Sequence, residues 1–362
     1  GDWVSGPETL TEEELGANRR NFYEDCLANK LDTDDFWQSR MPDHSKIKTP
    51  MLSSANWGGQ GLHPRGNFEG FMRSASNHKW LEVHGIEHWT HFYTDYGLDL
   101  QKRFFGHFLK GEDTGWLESQ PKVQLQIRYP NEVFIERHEN EWPLARTEWT
   151  KYYVHPDTMT ISTEKQVAQS SAEYGGFSDG LTFLSDPLEA DLEITGPIAS
   201  KLWVSSETND VDLFLVLRAF SPDMKEVTFQ GALDPHTPLA QGWLRCSHRK
   251  LDKDLSLPYR PYHTHDEIQP LKVDETYEVD VEVWPTCIVV PKGYRLAFSI
   301  RGKDYVYPGD SETDFGEYAG WTGCGLFKHD DPVDRPAEVF GGTVKLHTGA
   351  DRQAYIMLPI IP

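Results

Sequence analysis

The spacing of apolar residues divides the chain into a mixed helix–strand region and a region that is almost wholly β. Up to about Lys110, short apolar runs alternate with stretches of helical periodicity. After Pro121 the period changes to two, as in half-buried strands. Pro and Gly interrupt these later runs every ~10–20 residues, which suits an antiparallel sandwich or jelly roll. We place the boundary near residues 114–121.

Helix signals are concentrated in the first region. Thr11-Glu12-Glu13-Glu14 is a capping box, in which a threonine and a glutamate satisfy each other's backbone N–H groups. Apolar residues then recur at roughly helical spacing as far as Leu27. The pattern predicts three further helices, at 34–40, at 64–71 beginning with a proline, and at 98–109 ending before Gly111.

Strand signals occur in both regions. The short apolar runs 49–55 and 79–84 alternate with the predicted helices, as in the successive βα units of a parallel sheet. In the second region the alternation is clearest in four runs: Val123–Tyr129, Leu213–Leu217, Tyr277–Val283 and Arg295–Ile300. The sequence therefore predicts an α/β part followed by an all-β part.

Composition and charge narrow the class of protein. Hydrophobic residues make up 38% and aromatic residues 12% of the 362 positions, enough to fill a core. The net charge of −22 argues against a nucleic-acid or anionic-membrane partner, because phosphate binding needs clustered Lys and Arg. No apolar run approaches the ~20 residues that span a bilayer.

The cysteines and the first residues bear on compartment and processing. Cys26, Cys246, Cys287 and Cys324 are far apart and form no CxxC pair, so we expect free thiols and a cytoplasmic location. The chain begins Gly1-Asp2-Trp3 without an initiator Met, which we expect of a processed or partial product. Homo-oligomer formation stays open.

Four stretches resemble the cocaine-esterase / X-prolyl dipeptidyl-peptidase family. Residues 104–111 (FFGHFLKG) are similar to the helix that closes the hydrolase domain in that family. The others are 183–197, like the entry to its jelly roll, 242–249 (GWLRCSHR), like its GxLRASHR signature, and 358–362, like its closing strand. The resemblance implies cap-like helices over 1–45, the last strands and helices of an α/β-hydrolase domain over 46–115, and a jelly-roll β-sandwich over 116–362.

The resemblance also implies hydrolysis of a small acyl ester or amide by a Ser-acid-His triad. His88 lies just past the strand 79–84, where the family's GPWSH places its general base. Imidazole suits this role because its pKa is near working pH. His84 and His91 are nearby rivals, and a loop histidine of this kind is otherwise an ordinary surface or cap residue.

The triad acid is not where the family has it. The family's GWYD corresponds to Asn56-Trp57-Gly58-Gly59, so the position of its Asp is occupied by Gly59. Glu69, on the helix after this loop, is the candidate that could reach back towards His88, unless it is an ordinary exposed helix residue. Asp95 is another candidate, whereas Glu87 is expected to point away from its neighbour.

The nucleophile is expected outside this sequence, upstream of Gly1 or on a separate chain. Gly176-Phe177-Ser178-Asp179-Gly180 matches GxSxG, but a nucleophile elbow needs a buried strand before it and a helix after it, so we predict a turn. His263-Thr264-His265-Asp266 fits an ordered surface loop better than a metal site. No metal or cofactor is expected. The alternative function is a non-catalytic β-sandwich module for binding or assembly, on a degenerate hydrolase remnant.

Overall fold

Residues 7–231, 234–309 and 328–362 are described by a computed structural model. Two of the expectations above concern Gly1-Asp2-Trp3 and Cys324, which lie outside these ranges. Contacts between residues divide the chain into two units. One comprises the residues up to Pro42 with His265–Glu267, and the other comprises Asp43–Thr264 with Ile268–Pro362.

The first unit contains three short helices. They are α1 (Glu12–Asn18), α2 (Phe22–Ala28) and α3 (Asp35–Gln38). The predicted capping box is confirmed, because the Thr11 hydroxyl accepts from the Glu14 N–H and the Glu14 carboxylate accepts from the Thr11 N–H. The helical spacing up to Leu27 is carried by two helices, because Arg19 is extended and ends the first of them. A hydrogen bond of 2.8 Å from the Asp32 N–H to the His265 carbonyl ties the two segments of this unit together.

The second unit begins with parallel strands and the helices that cover them. The elements are a 3₁₀ turn (His44–Lys46), β1 (Met51–Asn56), α4 (Pro64–Arg73), β2 (Lys79–His84), α5 (Thr90–Tyr93), α6 (Asp95–Phe105), α7 (Trp116–Ser119) and β3 (Val123–Tyr129). Strand β2 pairs in parallel with β1 and with β3. Helix α6 continues as a π-helical turn, Gly106–Lys110, which ends at the left-handed Gly111 as predicted.

Helices bury both faces of these parallel strands. On one face, Phe68 and Phe71 of α4 pack with Leu81 and Val83 of β2. On the other face, Trp80 of β2 packs with Leu100 and Phe104 of α6 and with Trp116 of α7. Coverage on both sides explains why the short strand β2 has almost no exposed residue. It also places the carboxyl ends of β1 and β2 at one edge of the layer.

The remaining elements are almost all strands. They are β4 (Val133–Glu139), β5 (Glu148–His155), β6 (Thr160–Ser162), β7 (Ser170–Gly175), β8 (Leu181–Leu184), β9 (Leu192–Ser206), β10 (Asp212–Phe220), β11 (Ala240–Arg245), β12 (Tyr277–Val290), β13 (Arg295–Arg301), β14 (Thr343–Thr348) and β15 (Tyr355–Ile361), with a 3₁₀ turn (Cys246–His248) and helix α8 (Ala337–Phe340). Each of the four alternating runs in the sequence lies within one of these strands, so those strand predictions are confirmed.

The strands join into one continuous sheet with the order β1-β2-β3-β12-β9-β15-β5-β6-β8-β13-β10-β11. Strand β4 pairs with β3, and β14 pairs with β7 and β9. Pairing beyond β3 is mainly antiparallel, and the long β9–β12 pair bends at a register shift between Val283 and Thr286. The inward-facing residues of these strands form the largest hydrophobic core, which includes Phe183, Leu215 and Phe298. The protein is thus a mostly β fold with few helices.

Two further observations bear on expectations from the sequence. Cys26, Cys246 and Cys287 carry free thiols, and burial raises the pKa of the Cys287 thiol to about 11. Within the described ranges, no helix combines the length and the apolar character needed to cross a membrane.

Candidate active site

The loops after β1 and β2 leave the sheet together and are joined through their backbones. The Trp57 N–H donates to the His84 carbonyl at 2.9 Å, and the Gly58 N–H donates to the Ile86 carbonyl at 2.8 Å. A Cβ atom at Gly58 would collide with the Ile86 carbonyl oxygen, so this close approach requires glycine. The two loops therefore hold each other in place.

Gly59 has little room for a side chain in this arrangement. A Cβ atom there would lie 2.6 Å from Asn56 Oδ1 and 3.3 Å from Pro64 Cδ. Asn56 is buried at the end of β1, and Pro64 begins α4, so neither neighbour can yield freely. The absence of a carboxylate at this position therefore fits the local packing.

Ile86 adopts a backbone conformation that β-branched residues rarely take. Its φ is +46°, in the left-handed region that favours glycine. Such strain persists only where the surrounding structure holds it, and it is concentrated at functional sites. Here the hydrogen bond from Gly58 to the Ile86 carbonyl holds the turn that directs residues 87 and 88 away from the strand.

His88 is exposed at this edge of the sheet, between two aromatic neighbours. Its ring lies 4.7 Å from that of His63, in the loop after β1, and 4.8 Å from that of Trp89. Burial, together with the nearby His88, lowers the pKa of His63 below its usual value. No carboxylate of the described residues forms an ion pair with His88, so the imidazole has no acid partner from this part of the chain.

The structure does not bring Glu69 to His88. The Glu69 carboxylate, almost wholly buried, is instead hydrogen-bonded to the guanidinium of Arg260. It also lies 3.7 Å from Arg73, one turn further along α4. The Glu69 side chain thus anchors α4 to the loop that contains Arg260. Glu69 is therefore not an exposed helix residue, which was the alternative in the sequence analysis.

The other two carboxylates near His88 act as helix-terminal groups. Glu87 is buried and accepts from the Thr90 N–H, the first of α5, at 3.0 Å. Asp95 is exposed in the first turn of α6, where a negative charge favours the helix. Neither forms an ion pair with His88.

A buried carboxylate–imidazole pair lies at the end of β2, just before the loop that contains His88. His84 Nδ1 is 3.0 Å from Glu82 Oε2 and 3.1 Å from Oε1. Glu82 also accepts from the Ser54 hydroxyl at 2.6 Å and from the Tyr96 hydroxyl at 2.9 Å. Gln124 in turn donates to the Tyr96 oxygen at 2.8 Å. Burial, together with the Glu82 charge, raises the pKa of the Tyr96 phenol far above its usual range.

Sequence reasoning did not identify this pair, although a signal was present. Strand residues two apart point to the same face, and two charged or polar residues at that spacing are unusual in a buried strand. His84 was considered only as a rival base.

His84, His88 and His91 line one cavity of about 290 Å³ on the α6 side of the sheet. Its other walls are mainly apolar, and they include Leu52, Phe92, Leu100 and Phe104. The His84 and His91 rings are 4.8 Å apart, and burial lowers the pKa of His91, with a further contribution from His84. A cavity with apolar walls and a few polar groups is typical of a small-molecule site.

The remaining sequence candidates lie elsewhere. Residues 176–180 connect strand β7 to strand β8, with Gly180 in the left-handed region, so the GxSxG match is a turn as predicted. The Ser178 N–H donates to the Gly175 carbonyl at 2.8 Å. His263 Nε2 is within hydrogen-bonding distance, 2.9 Å, of the Asp280 carbonyl.

Comparison with known proteins assigns the family. Residues 114–313 match the X-Pro dipeptidyl-peptidase C-terminal non-catalytic domain, and the chain belongs to that family. Among solved structures, a CocE/NonD family hydrolase from Staphylococcus aureus superposes with a TM-score of 0.84 at 29% identity, covering 99% of this chain and 60% of that one. The structural neighbours at this level of similarity are thus hydrolases by name.

Two sequence relatives point the same way. The cocaine esterase of Rhodococcus sp. is 23% identical over 300 residues, which are 72% of this chain and 45% of that protein. A Mycobacterium bovis protein named as a candidate serine esterase is 27% identical over 236 residues, 56% of this chain and 35% of that protein. The chain therefore spans about a third to a half of these relatives' lengths.

Proposed function

We propose that the chain is part of a serine hydrolase that cleaves a small acyl ester or amide. The nucleophilic Ser is expected in sequence upstream of Gly1 or on a separate chain, and His88 is the general base. The observation that carries this proposal is the pair of loops after β1 and β2. Their backbones hold each other, and the strained turn at Ile86 presents an exposed imidazole beside a cavity.

The same proposal includes the finer architecture. β1 and β2 are the last strands of an α/β-hydrolase sheet within 46–115, and the β-rich part over 116–362 is a jelly-roll sandwich. Strand β1 stands at the end of the strand order, with β2 as its neighbour in the described part of the chain. An open edge on a strand of a parallel sheet is a site for further pairing, which supports additional strands on that side.

In this mechanism the imidazole of His88 takes the proton of the serine hydroxyl as its oxygen attacks the carbonyl carbon. The same imidazole then returns the proton to the leaving oxygen or nitrogen, which leaves an acyl-serine. An exposed position at the end of a strand suits this role because the ring must face both the nucleophile and the substrate. Water then releases the acid.

Substitution of His88 in the full-length protein tests the proposal. His88→Ala should lower kcat for a simple ester by several orders of magnitude, because triad members act as a unit, and should change KM little. His138→Ala removes an exposed histidine of β4 and is the matched control, expected to keep full activity. Equal activity of His88→Ala and the wild type would refute the proposed base.

A non-catalytic module for binding or assembly is the second candidate. Two observations favour it: position 59 has little room for an acid, and Glu69 is engaged by Arg260. The matched family is also described as a non-catalytic domain, although its match begins after His88. Under this candidate, the full-length protein should show no ester or amide hydrolysis that depends on His88.

A further inference from the structure

Two rings from different loops contact the imidazole of His88. The His63 ring, from the loop after β1, has its centroid 4.7 Å from that of His88, at an interplanar angle of 80°. The Trp89 ring, next along the chain, has its centroid 4.8 Å away, at 71°. Both pairs are edge-to-face, an arrangement that aromatic rings prefer over a face-to-face stack. The exposed side chain of His88 thus has two ring contacts that restrain it.

Each of the two contacting rings is placed by the start of a helix. His63 is the N-cap of α4, in which Pro64 occupies the first helical position. Trp89 is the N-cap of α5, and the buried Glu87 carboxylate accepts from the first N–H of that helix at 3.0 Å. Both rings are therefore carried by an anchored backbone, which favours a fixed geometry around His88.

The side chains at these two N-caps do not serve their own helices. Ser, Thr, Asp and Asn are preferred at an N-cap because their side chains accept from the first N–H groups of the helix. Within the described part of the chain, neither His63 nor Trp89 makes such a bond. Local rules of this kind are broken mainly at functional sites. The two residues are poor caps that both place a ring against His88, which indicates a role at the site.

The charge state of His63 is compatible with this role. Burial, together with the nearby His88, holds the pKa of His63 below its usual value, so the His63 imidazole is neutral near pH 7. His88 becomes positively charged when it takes the proton of the serine hydroxyl. A neutral neighbour does not oppose that charge, whereas a protonated one would.

We propose that His63 and Trp89 are positioning residues that hold the His88 imidazole in the orientation required of a general base. This inference rests on the proposed function and leaves His88 as its one base. A hydrogen bond to one ring nitrogen restrains one edge of the imidazole, whereas contacts with two rings restrain the tilt of its plane. A displacement of about 1 Å at a reacting group can cost on the order of 100-fold in rate, so the restraint acts on kcat.

Steady-state kinetics of the full-length protein with a small ester test the proposal. His63→Ala and Trp89→Ala should each lower kcat about 10- to 100-fold and change KM little, because the base is displaced while the substrate site is intact. His63→Phe and Trp89→Phe keep an aromatic ring at each position and should retain most of the wild-type kcat. Recovery by a ring that cannot titrate would show that the contact, and not proton transfer by His63, is required.

Tyr93→Ala is the matched control for these variants. Tyr93 is an exposed aromatic residue of α5, and its ring lies 5.0 Å from that of Phe92, so its loss should leave kcat unchanged. Thermal unfolding of each variant shows whether a loss of activity reflects loss of fold. Should an Ala variant fail to fold, Leu at the same position keeps bulk without an aromatic ring, and the same loss of kcat is expected of it.

Three results would overturn the positioning role. The first is a wild-type kcat in folded His63→Ala and Trp89→Ala proteins. The second is a raised KM at unchanged kcat, which would make the two rings walls of the substrate site. The third is a loss of kcat in the Phe variants as large as that in the Ala variants. In each of these cases His88→Ala would still be inactive, whereas a fully active His88→Ala would refute the proposed function and this inference with it.

Discussion

The carboxylate of Glu69 is hydrogen-bonded to the guanidinium of Arg260, which reaches it from a loop 191 residues further along the chain. Both side chains are less than a tenth exposed. Arg260 also donates to the Leu255 carbonyl at 2.7 Å, so its position is set from both sides. This ion pair gives Glu69 a structural role that its place on α4 did not indicate.

Loss of this pair should destabilise the fold. Glu69→Gln leaves the buried guanidinium of Arg260 without its hydrogen-bonded counter-charge, and breaking a buried ion pair from one side costs about 3–5 kcal/mol. Arg73→Gln removes the more exposed partner, at 3.7 Å, and should cost less than about 1 kcal/mol. Chemical denaturation of the three proteins gives both values. A Glu69→Gln protein of unchanged stability but with greatly reduced kcat would instead support the pairing with His88 expected from the sequence.

A side chain at Gly58 should disturb the joined loops. In Gly58→Ala the new methyl group meets the Ile86 carbonyl oxygen and also lies 2.9 Å from the Gln230 carbonyl oxygen. Overpacking of this kind costs about 1–3 kcal/mol. The control is Gly66→Ala on α4, where the Cβ meets nothing within 4 Å and Ala favours the helix by about 0.5–1 kcal/mol. The two variants should change the free energy of unfolding in opposite directions, and a neutral Gly58→Ala would contradict the close approach.

The lowered pKa of His91 predicts a pH dependence of stability. Because its folded-state pKa lies below the unfolded value of about 6.5, the unfolded chain binds the proton first as the pH falls. His91 therefore costs stability progressively as the pH drops through 6.5 towards the folded-state pKa. His91→Phe cannot titrate. The free energy of unfolding of the wild type, minus that of His91→Phe, should decrease as the pH is lowered from 7.5 to 5.5. A difference that stays constant or rises as the pH is lowered would show that His91 is not buried as described.

Local patterns predicted the elements better than the site. The capping box at Thr11, the stop at Gly111 and the alternation in β3, β10, β12 and β13 depend on residues close together in sequence, and each was found. The division of the first helical stretch was missed, because apolar spacing alone does not show that the backbone at Arg19 is extended.

The candidate site depends on partners that are distant in sequence. Proximity on α4 suggested that Glu69 could reach His88, but the choice of Arg260 was decided by the fold of a remote loop. Likewise, the lack of space at Gly59 comes from Asn56 and Pro64, whose orientation is set by the turn between β1 and α4. The pair of Glu82 and His84 could have been inferred from their shared strand face, but its bonds to Ser54 and Tyr96 could not.

The most direct measurement of the central claim is active-site labelling of the full-length protein with a fluorophosphonate, followed by identification of the labelled peptide. The account predicts one labelled serine, outside residues 1–362, and a strong loss of labelling in His88→Ala, because the imidazole activates the hydroxyl. Labelling of Ser178 would contradict the assignment of residues 176–180 as a turn between strands. The absence of any labelled serine in the folded full-length protein would contradict the hydrolase itself.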